Sequence, residues 1–284
     1  MKVLVTGAGG MLAEDLVPCL SQRGHEVVPI AEIDLDICDL ERVKSAVSRI
    51  KPDILINCAA YTDVDGAEAN RDTAFRVNGL GVKNLASACA EAGCAIAHFS
   101  TDYIFNGKKR GPYRIEDKPH PLNAYGESKL EGERYLQQLA SRFYLIRTSW
   151  LFGLHGKNFV ETILKASEKQ SELRVVNDQR GAPTFTQDLS RAVADLISTG
   201  RCGIYHITNQ GKTSWYGYAA AIIKKARRNT AVVPVSSGEI NRPAVRPKNS
   251  SLDPYPLKET IGYLLPSWED ALERYLSQRE VKAL

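Results

Sequence analysis

No apolar run in this chain approaches the roughly 18 residues that span a bilayer, so a membrane protein is not expected. The first residues enter a strand-like Val3-Leu4-Val5 directly, without the charged and apolar stretches of a signal peptide. Six cysteines lie at 19, 38, 58, 89, 94 and 202, and no two are spaced C-x-x-C. Cys19, Cys58 and Cys89 fall in apolar runs, as small buried core residues do. That usage suits a reducing compartment better than a disulfide framework. No basic block alternates with aromatics and the net charge is only +4, which argues against nucleic-acid binding while leaving room for a small anionic ligand. Internal repeats, low-complexity segments and long linkers are missing too. These absences point to a cytoplasmic globular protein. With 43% hydrophobic and 25% charged residues over 284 positions, it has enough core for one large domain or two small ones.

What is present alternates between strand and helix periods. Residues 2–6 form a short apolar run suited to a buried parallel strand. Gly7, Gly10 and Ala13 follow, then a stretch to Arg23 with Leu12, Leu16, Val17 and Leu20 on one side. Strand, glycine turn and helix together point backbone N–H groups at a pyrophosphate. Gly7 permits the tight turn, Gly10 the close approach of phosphate, and Ala13 the packing of helix on strand. Residues 25–30 read as the second strand. Glu32, Asp34, Asp36 and Asp39 then either reach a ribose hydroxyl or the adenine edge, or are loop carboxylates that cap a helix at 40–50. Their spacing does not separate NADH from NADPH. No arginine just beyond this strand awaits a 2′-phosphate, which leans the reading towards NAD or use of both. The third strand, 52–57, runs into Cys58, Ala59, Ala60, Tyr61 and Thr62, a mostly small stretch on which a flat ring can lie. A helix at 72–92 carries Asn78, whose amide either bonds a neighbouring backbone or holds an ordered water near the site.

The fourth strand, 95–99, ends in Ser100, Thr101, Asp102 and Tyr103. Polar residues at a strand's carboxyl end are where open α/β sheets place their chemistry. The loop from Asn106 to Asn123 is too long for a plain connector. A helix to about 141 and a strand at 143–148 follow. Five strands alternating with helices predict an α/β, Rossmann-like, doubly wound parallel sheet, with residues 1–150 as an NAD(P)-binding domain. Beyond Trp150, helices are expected at 157–169, 186–199, 214–228 and 267–278, and strands at 173–176 and 203–207. Residues 229–266 are short strands and proline-broken loops that carry Arg242 and Arg246. Segments near 185–210 return to the main sheet. The rest of 151–284 forms a smaller C-terminal α/β lobe, and a ligand sits between the two parts.

Tyr125 and Lys129 are four apart and share a helix face. Alone, such a pair is ordinarily a solvated surface. Beside a nucleotide-binding sheet it is a candidate proton donor, because an ammonium favours the phenolate left behind. Gly7-x-x-Gly10 after the first strand, Asn78, Thr101 and Tyr125-x-x-x-Lys129, in this order, resemble an extended short-chain dehydrogenase/reductase. Four strings, at 100–107, 121–126, 128–133 and 177–184, are similar to the dTDP-4-dehydrorhamnose reductase family, and the likeness covers nearly the whole chain.

The resemblance implies reduction of the 4-keto group of dTDP-4-dehydro-β-L-rhamnose by NADPH or NADH. It makes Tyr125 the proton donor and Lys129 the residue that lowers its pKa and holds the nicotinamide ribose. Thr101 becomes the hydroxyl that orients the carbonyl, and Asp102, Tyr103 and Trp150 the contacts to the deoxyhexose. Gly7, Gly10, Met11, Leu12, Asp36, Ile37, Ala59, Ala60, Tyr61, Thr62 and Asn78 become cofactor positions, with Tyr125 and Lys129. Arg242 and Arg246 are either clamps on the diphosphate or a solvated basic loop. Some members of this family bind Mg²⁺ through acidic residues at a dimer interface. Here Asp15 and Gln187-Asp188 stand near those positions and do not make a hard-cation set, so no metal site is expected and monomer and homodimer both remain open. Two other readings are a nucleotide-sugar dehydratase or epimerase and a regulatory subunit like the methionine adenosyltransferase β subunit. Tyr103 stands where the dehydratases carry an acid, and the retained Thr101, Tyr125 and Lys129 favour an enzyme.

Overall fold

The computed structural model describes residues 1–282. Its first half alternates strand and helix: β1 (Lys2–Thr6), α1 (Met11–Gln22), β2 (Glu26–Ile30), α2 (Leu40–Ile50), β3 (Ile54–Asn57), the short α3 (Gly66–Ala69) and α4 (Arg71–Phe75), α5 (Val82–Ala92), β4 (Ala95–Thr101), α6 (Ala124–Leu139) and β5 (Phe143–Thr148). The second half runs β6 (Leu151–Phe152), α7 (Phe159–Ser167), β7 (Glu172–Val176), β8 (Arg180–Gly181), β9 (Thr184–Phe185), α8 (Thr186–Ser198), β10 (Gly203–His206), β11 (Thr213–Ser214), α9 (Trp215–Lys225), β12 (Ala231–Val235), α10 (Leu257–Ile261) and α11 (Trp268–Lys282).

Six strands form one parallel sheet in the order β10-β5-β4-β3-β1-β2. The chain winds outward from β1 to β2, then crosses back to β3 on the other side. The carboxyl ends of β1 and β3 are therefore the switch point, where ligands enter such sheets. Successive side chains of a strand face opposite ways, and both faces here are covered. Val3, Val5, Ile54, Ile56, Ala97 and Ile146 pack under α1 and α8. Leu4, Leu55, Ile96 and Leu145 pack against α2, α5 and α6. Each such burial is worth about 1.5–3 kcal/mol, which explains why strands without alternating polarity form here.

The expected helix at 72–92 is interrupted. After α4 the chain makes a π-helical turn, Arg76–Gly81, before α5 begins. This wide turn carries Asn78 towards α6, where Gly132 leaves room: a Cβ at Gly132 would collide with the Asn78 carbonyl. The last helix is longer than its apolar pattern predicts. Beyond 276 it is held by polar partners, Gln278 to Gln187 and Arg279 to Glu161. Asp39 caps α2 by accepting the Arg42 N–H at 3.1 Å, so of its two readings the capping one is realised. Cys89 is buried as expected, but Cys19 and Cys58 are only half-buried, and all six thiols are free.

The smaller lobe has its own aromatic core of Phe152, Phe185, Tyr218, Trp268 and Tyr275. Three two-stranded pairings, β7 with β12, β6 with β9 and β8 with β11, frame it. Among the described residues no helix is long and apolar enough to cross a membrane.

Candidate active site

A groove of about 880 Å³ opens at the carboxyl ends of β1 and β3. Gly7, Gly10, Asp36, Ile37, Ala59, Ala60 and Tyr61 line it, seven of the residues expected to meet the cofactor. Gly7 has φ of 73° and a Cβ there would collide with the Ala59 backbone N, so both torsion and space demand glycine. Gly10 sits at the N-cap of α1 with no side-chain cap, which leaves first-turn N–H groups for an anion. This cradle, open where a Cβ would fill it, fits a dinucleotide pyrophosphate.

The remaining cofactor candidates lie elsewhere. Met11 opens α1 at the seam between the lobes, where a Cβ on Gly153 would come within 3.2 Å of it. The Leu12 side chain is buried in the core under the sheet, and Thr62 is exposed beyond Tyr61. Asn78 takes the first of its two readings and stands behind the groove wall. Its carbonyl accepts the Tyr61 N–H at 2.9 Å, and its NH₂ donates to Tyr61 O and Ser128 Oγ, both at 3.0 Å. It positions the wall through backbone contacts.

Arg76 was not foreseen. It comes from the π-helical turn to line the groove, 3.8 Å from Asp36. A cation is thus near the end of β2 after all, although the sequence offers none next to that strand. Asp36 itself accepts the Cys38 N–H at 2.9 Å, and this bond holds its carboxyl below the usual range.

The candidate catalytic side chains collect where β4 ends and α6 begins. Asn123 caps α6, accepting the Gly126 N–H at 2.8 Å while donating to Val245 O at 2.8 Å. Gly126 lets the helix press on the preceding loop, since a Cβ there would strike the Tyr103 carbonyl. The Tyr125 ring meets Tyr103 edge-on at 5.9 Å. Thr101 donates to Asp102 Oδ1 and accepts from the Tyr103 N–H, each at 3.1 Å. Burial pushes the Tyr125 phenol up to about 12, while a hydrogen bond with Thr101 works the other way. Asp102 is buried, which raises its carboxyl to about 7, and its Oδ2 has no partner.

Lys129 differs from its expected arrangement. Its ammonium was expected to hold the Tyr125 phenol down, yet its hydrogen bonds go to β4 instead: 2.6 Å to Phe99 O and 3.3 Å to His98 Nε2. Burial lowers Lys129 to about 8, opposed by the negative charge of Glu133. Glu133 is itself buried and held by Arg147 at 3.0 and 2.8 Å.

Trp150 follows β5 with φ of 49°, an outlier for a bulky residue. Its ring stacks on Trp215 at 3.5 Å and abuts Gly181, where a Cβ would lie 2.6 Å from Cε2. Trp215 was not foreseen, because nothing local in the sequence pairs the two rings. Arg246 is not part of a solvated loop: its side chain is 10% exposed and grips Asp65 through two contacts of 2.7 Å. Arg242, more open, reaches the same carboxylate at 3.3 Å. Asp65 also escaped the sequence reading, lying some 180 residues from its partners.

Among the described residues no group of three or more His, Cys, Asp or Glu could hold a metal. Asp15 accepts the Thr186 hydroxyl at 2.5 Å, and Asp188 is shared by Arg191, Arg274 and Asn209.

Comparison with known proteins agrees with this geometry. The family model "RmlD substrate binding domain" matches residues 1–281. The chain is 42% identical to the spore coat polysaccharide biosynthesis protein SpsK of Bacillus subtilis, over 98% of each chain. A dTDP-4-dehydrorhamnose reductase from Clostridium acetobutylicum superposes with a TM-score of 0.96 at 39% identity, covering 99% of this chain and 100% of that one. The Bacillus anthracis dTDP-4-dehydrorhamnose reductase, solved in complex with NADP, gives 0.95 at 38% identity, covering 98% and 100%. With a family match along nearly its full length and near-complete relatives well above 30% identity, this chain belongs to the RmlD family of dTDP-4-dehydrorhamnose reductases.

Proposed function

We propose that this protein reduces the 4-keto group of dTDP-4-dehydro-β-L-rhamnose with NADPH or NADH, giving dTDP-β-L-rhamnose, the last step of dTDP-rhamnose synthesis for surface polysaccharide. The observation that carries this reading is the Thr101–Tyr125 hydroxyl pair, Thr101 ending β4 and Tyr125 in the first turn of α6. When bound, the nicotinamide cofactor supplies hydride to the carbonyl carbon. Tyr125 gives its proton to the sugar oxygen, which becomes basic as its carbonyl is reduced. Thr101 donates a second hydrogen bond to that oxygen. Asp102, Tyr103 and Trp150 meet the deoxyhexose, and Arg242 and Arg246 face the diphosphate, exchanging Asp65 for phosphate oxygens. Residues 1–150 with the returning segment near 185–210 bind the cofactor, and the rest of 151–284 binds the sugar nucleotide. The protein works in the cytoplasm, as a monomer or homodimer.

Purified protein should oxidise NAD(P)H only when the 4-keto nucleotide sugar is supplied, with dTDP-rhamnose as product. No turnover with either cofactor, together with co-purification of a partner enzyme, would favour a regulatory subunit instead.

A further inference from the structure

A buried chain of hydrogen bonds runs beneath the sheet's carboxyl edge to Lys129. Thr6 Oγ1 donates to Asn57 Oδ1 at 2.8 Å, and the Ala59 backbone N–H donates to the same oxygen at 3.0 Å. Asn57 Nδ2 stands 3.1 Å from His98 Nδ1, and His98 Nε2 stands 3.3 Å from Lys129 Nζ. Thr6, Asn57, His98 and Lys129 are each at most 2% exposed, so water does not mediate freely among them.

The donors fix the proton positions. A backbone N–H only donates, so the amide atom facing Ala59 must be the Asn57 oxygen. The Asn57 NH₂ therefore faces His98 Nδ1, which must accept. A neutral imidazole accepting at Nδ1 carries its hydrogen on Nε2. That N–H points at Lys129. An ammonium has no lone pair to receive it, whereas an amine has one and still donates to Phe99 O at 2.6 Å. Protonating His98 would set Nδ1–H against the Asn57 NH₂, so the ring does not relieve the conflict by gaining a charge.

The geometry points to Asn57 and His98 as positioning residues that hold Lys129 in a seat shaped for its neutral amine, so that the lysine readily releases its proton. The step balances: one N–H bond of the ammonium breaks, one O–H bond forms on the water that takes the proton, and ammonium plus water become amine plus hydronium. The amine then rests on His98 Nε2–H until solvent reprotonates it. The inference rests on the reductase reading, with Tyr125 as the proton donor. The charged and titratable groups around the seat are Glu133 and Tyr125 on α6, Arg147 on β5 bound to Glu133, and His98 and Asp102 at the end of β4. Burial lowers His98, which agrees with a neutral ring.

A long-range ¹H–¹⁵N spectrum of the wild-type protein should show His98 with its proton on Nε2 from pH 6 to 9. In ¹³Cε-lysine-labelled protein, with the signal assigned by its loss in Lys129→Gln, the Lys129 midpoint should rise by about one pH unit or more in two variants. His98→Gln presents a carbonyl that accepts from ammonium. Asn57→Asp draws the imidazole proton to Nδ1 and turns the Nε2 lone pair to Lys129. The alkaline limb of kcat should move with the midpoint while KM for the sugar nucleotide holds. A proton on His98 Nδ1, or an unmoved midpoint in either folded variant, would overturn the inference. If both variants fail to fold, the wild-type tautomer alone decides. These spectra need no turnover, so their failure is separable from failure of the reductase reading.

Discussion

Asp65 binds Arg246 through two hydrogen bonds of 2.7 Å, joining the loop after β3 to the loop after β12. Arg246 is the main reason the Asp65 carboxyl falls to about 2. A carboxyl lowered in the folded state stabilises the protein above its unfolded pKa and loses that effect as pH falls through the folded one. Asp65→Asn should therefore cost about 2 kcal/mol in urea unfolding at pH 7, and the gap from wild type should close between pH 4 and pH 2. A gap that stays constant with pH would remove the ion pair as its cause.

Tyr125→Phe removes one oxygen from a partly buried ring and should leave the fold intact. Turnover should fall by roughly 10²–10⁴-fold, the range for losing a general acid, with cofactor affinity little changed. Steady-state rates with the 4-keto nucleotide sugar, alongside a thermal melt, check this. Near wild-type turnover would end the assignment.

Asp102 gives the opposite pH behaviour from Asp65. Burial raises its carboxyl to about 7, so ionising it opposes folding as pH rises from the unfolded pKa towards 7. Wild type should lose stability relative to Asp102→Asn over that window and run parallel to it above. Paired unfolding curves at pH 4, 5.5 and 7 measure the effect.

Glu133 and Arg147 are 0% and 3% exposed, and each is the other's main partner. Removing one partner leaves a buried charge uncompensated, which typically costs 3–5 kcal/mol. Glu133→Ala should therefore unfold far more easily than Glu127→Ala, whose ion pair with Arg71 is exposed and worth about 0–1 kcal/mol.

Trp215→Ala should cost the Trp150 stack about 0.5–1.5 kcal/mol. With Trp150 no longer backed, the variant's KM for the sugar nucleotide should rise several-fold while its KM for NAD(P)H stays constant. Separate titration of the two substrates distinguishes this from general destabilisation, which would disturb both.

Much of this protein was fixed by local chemistry and so was legible in the chain itself. Strand-buried runs such as 95–99 alternate two packed faces, and the Gly7 turn has a single backbone solution, so the sheet and its cradle follow from neighbouring residues. The spacing of Tyr125 and Lys129 likewise places both on α6. Tertiary structure decided what those residues face. Asp65, Arg76 and Trp215 meet their partners from segments far apart in sequence, and no periodicity encodes such meetings. The interruption at Arg76–Gly81 depends on the space left by Gly132 of a different helix. Lys129 is the plainest case. Its type and spacing are sequence facts, but whether its nitrogen meets Tyr125 or His98 depends on packing between α6 and β4, because burial leaves it only the partners that the fold supplies.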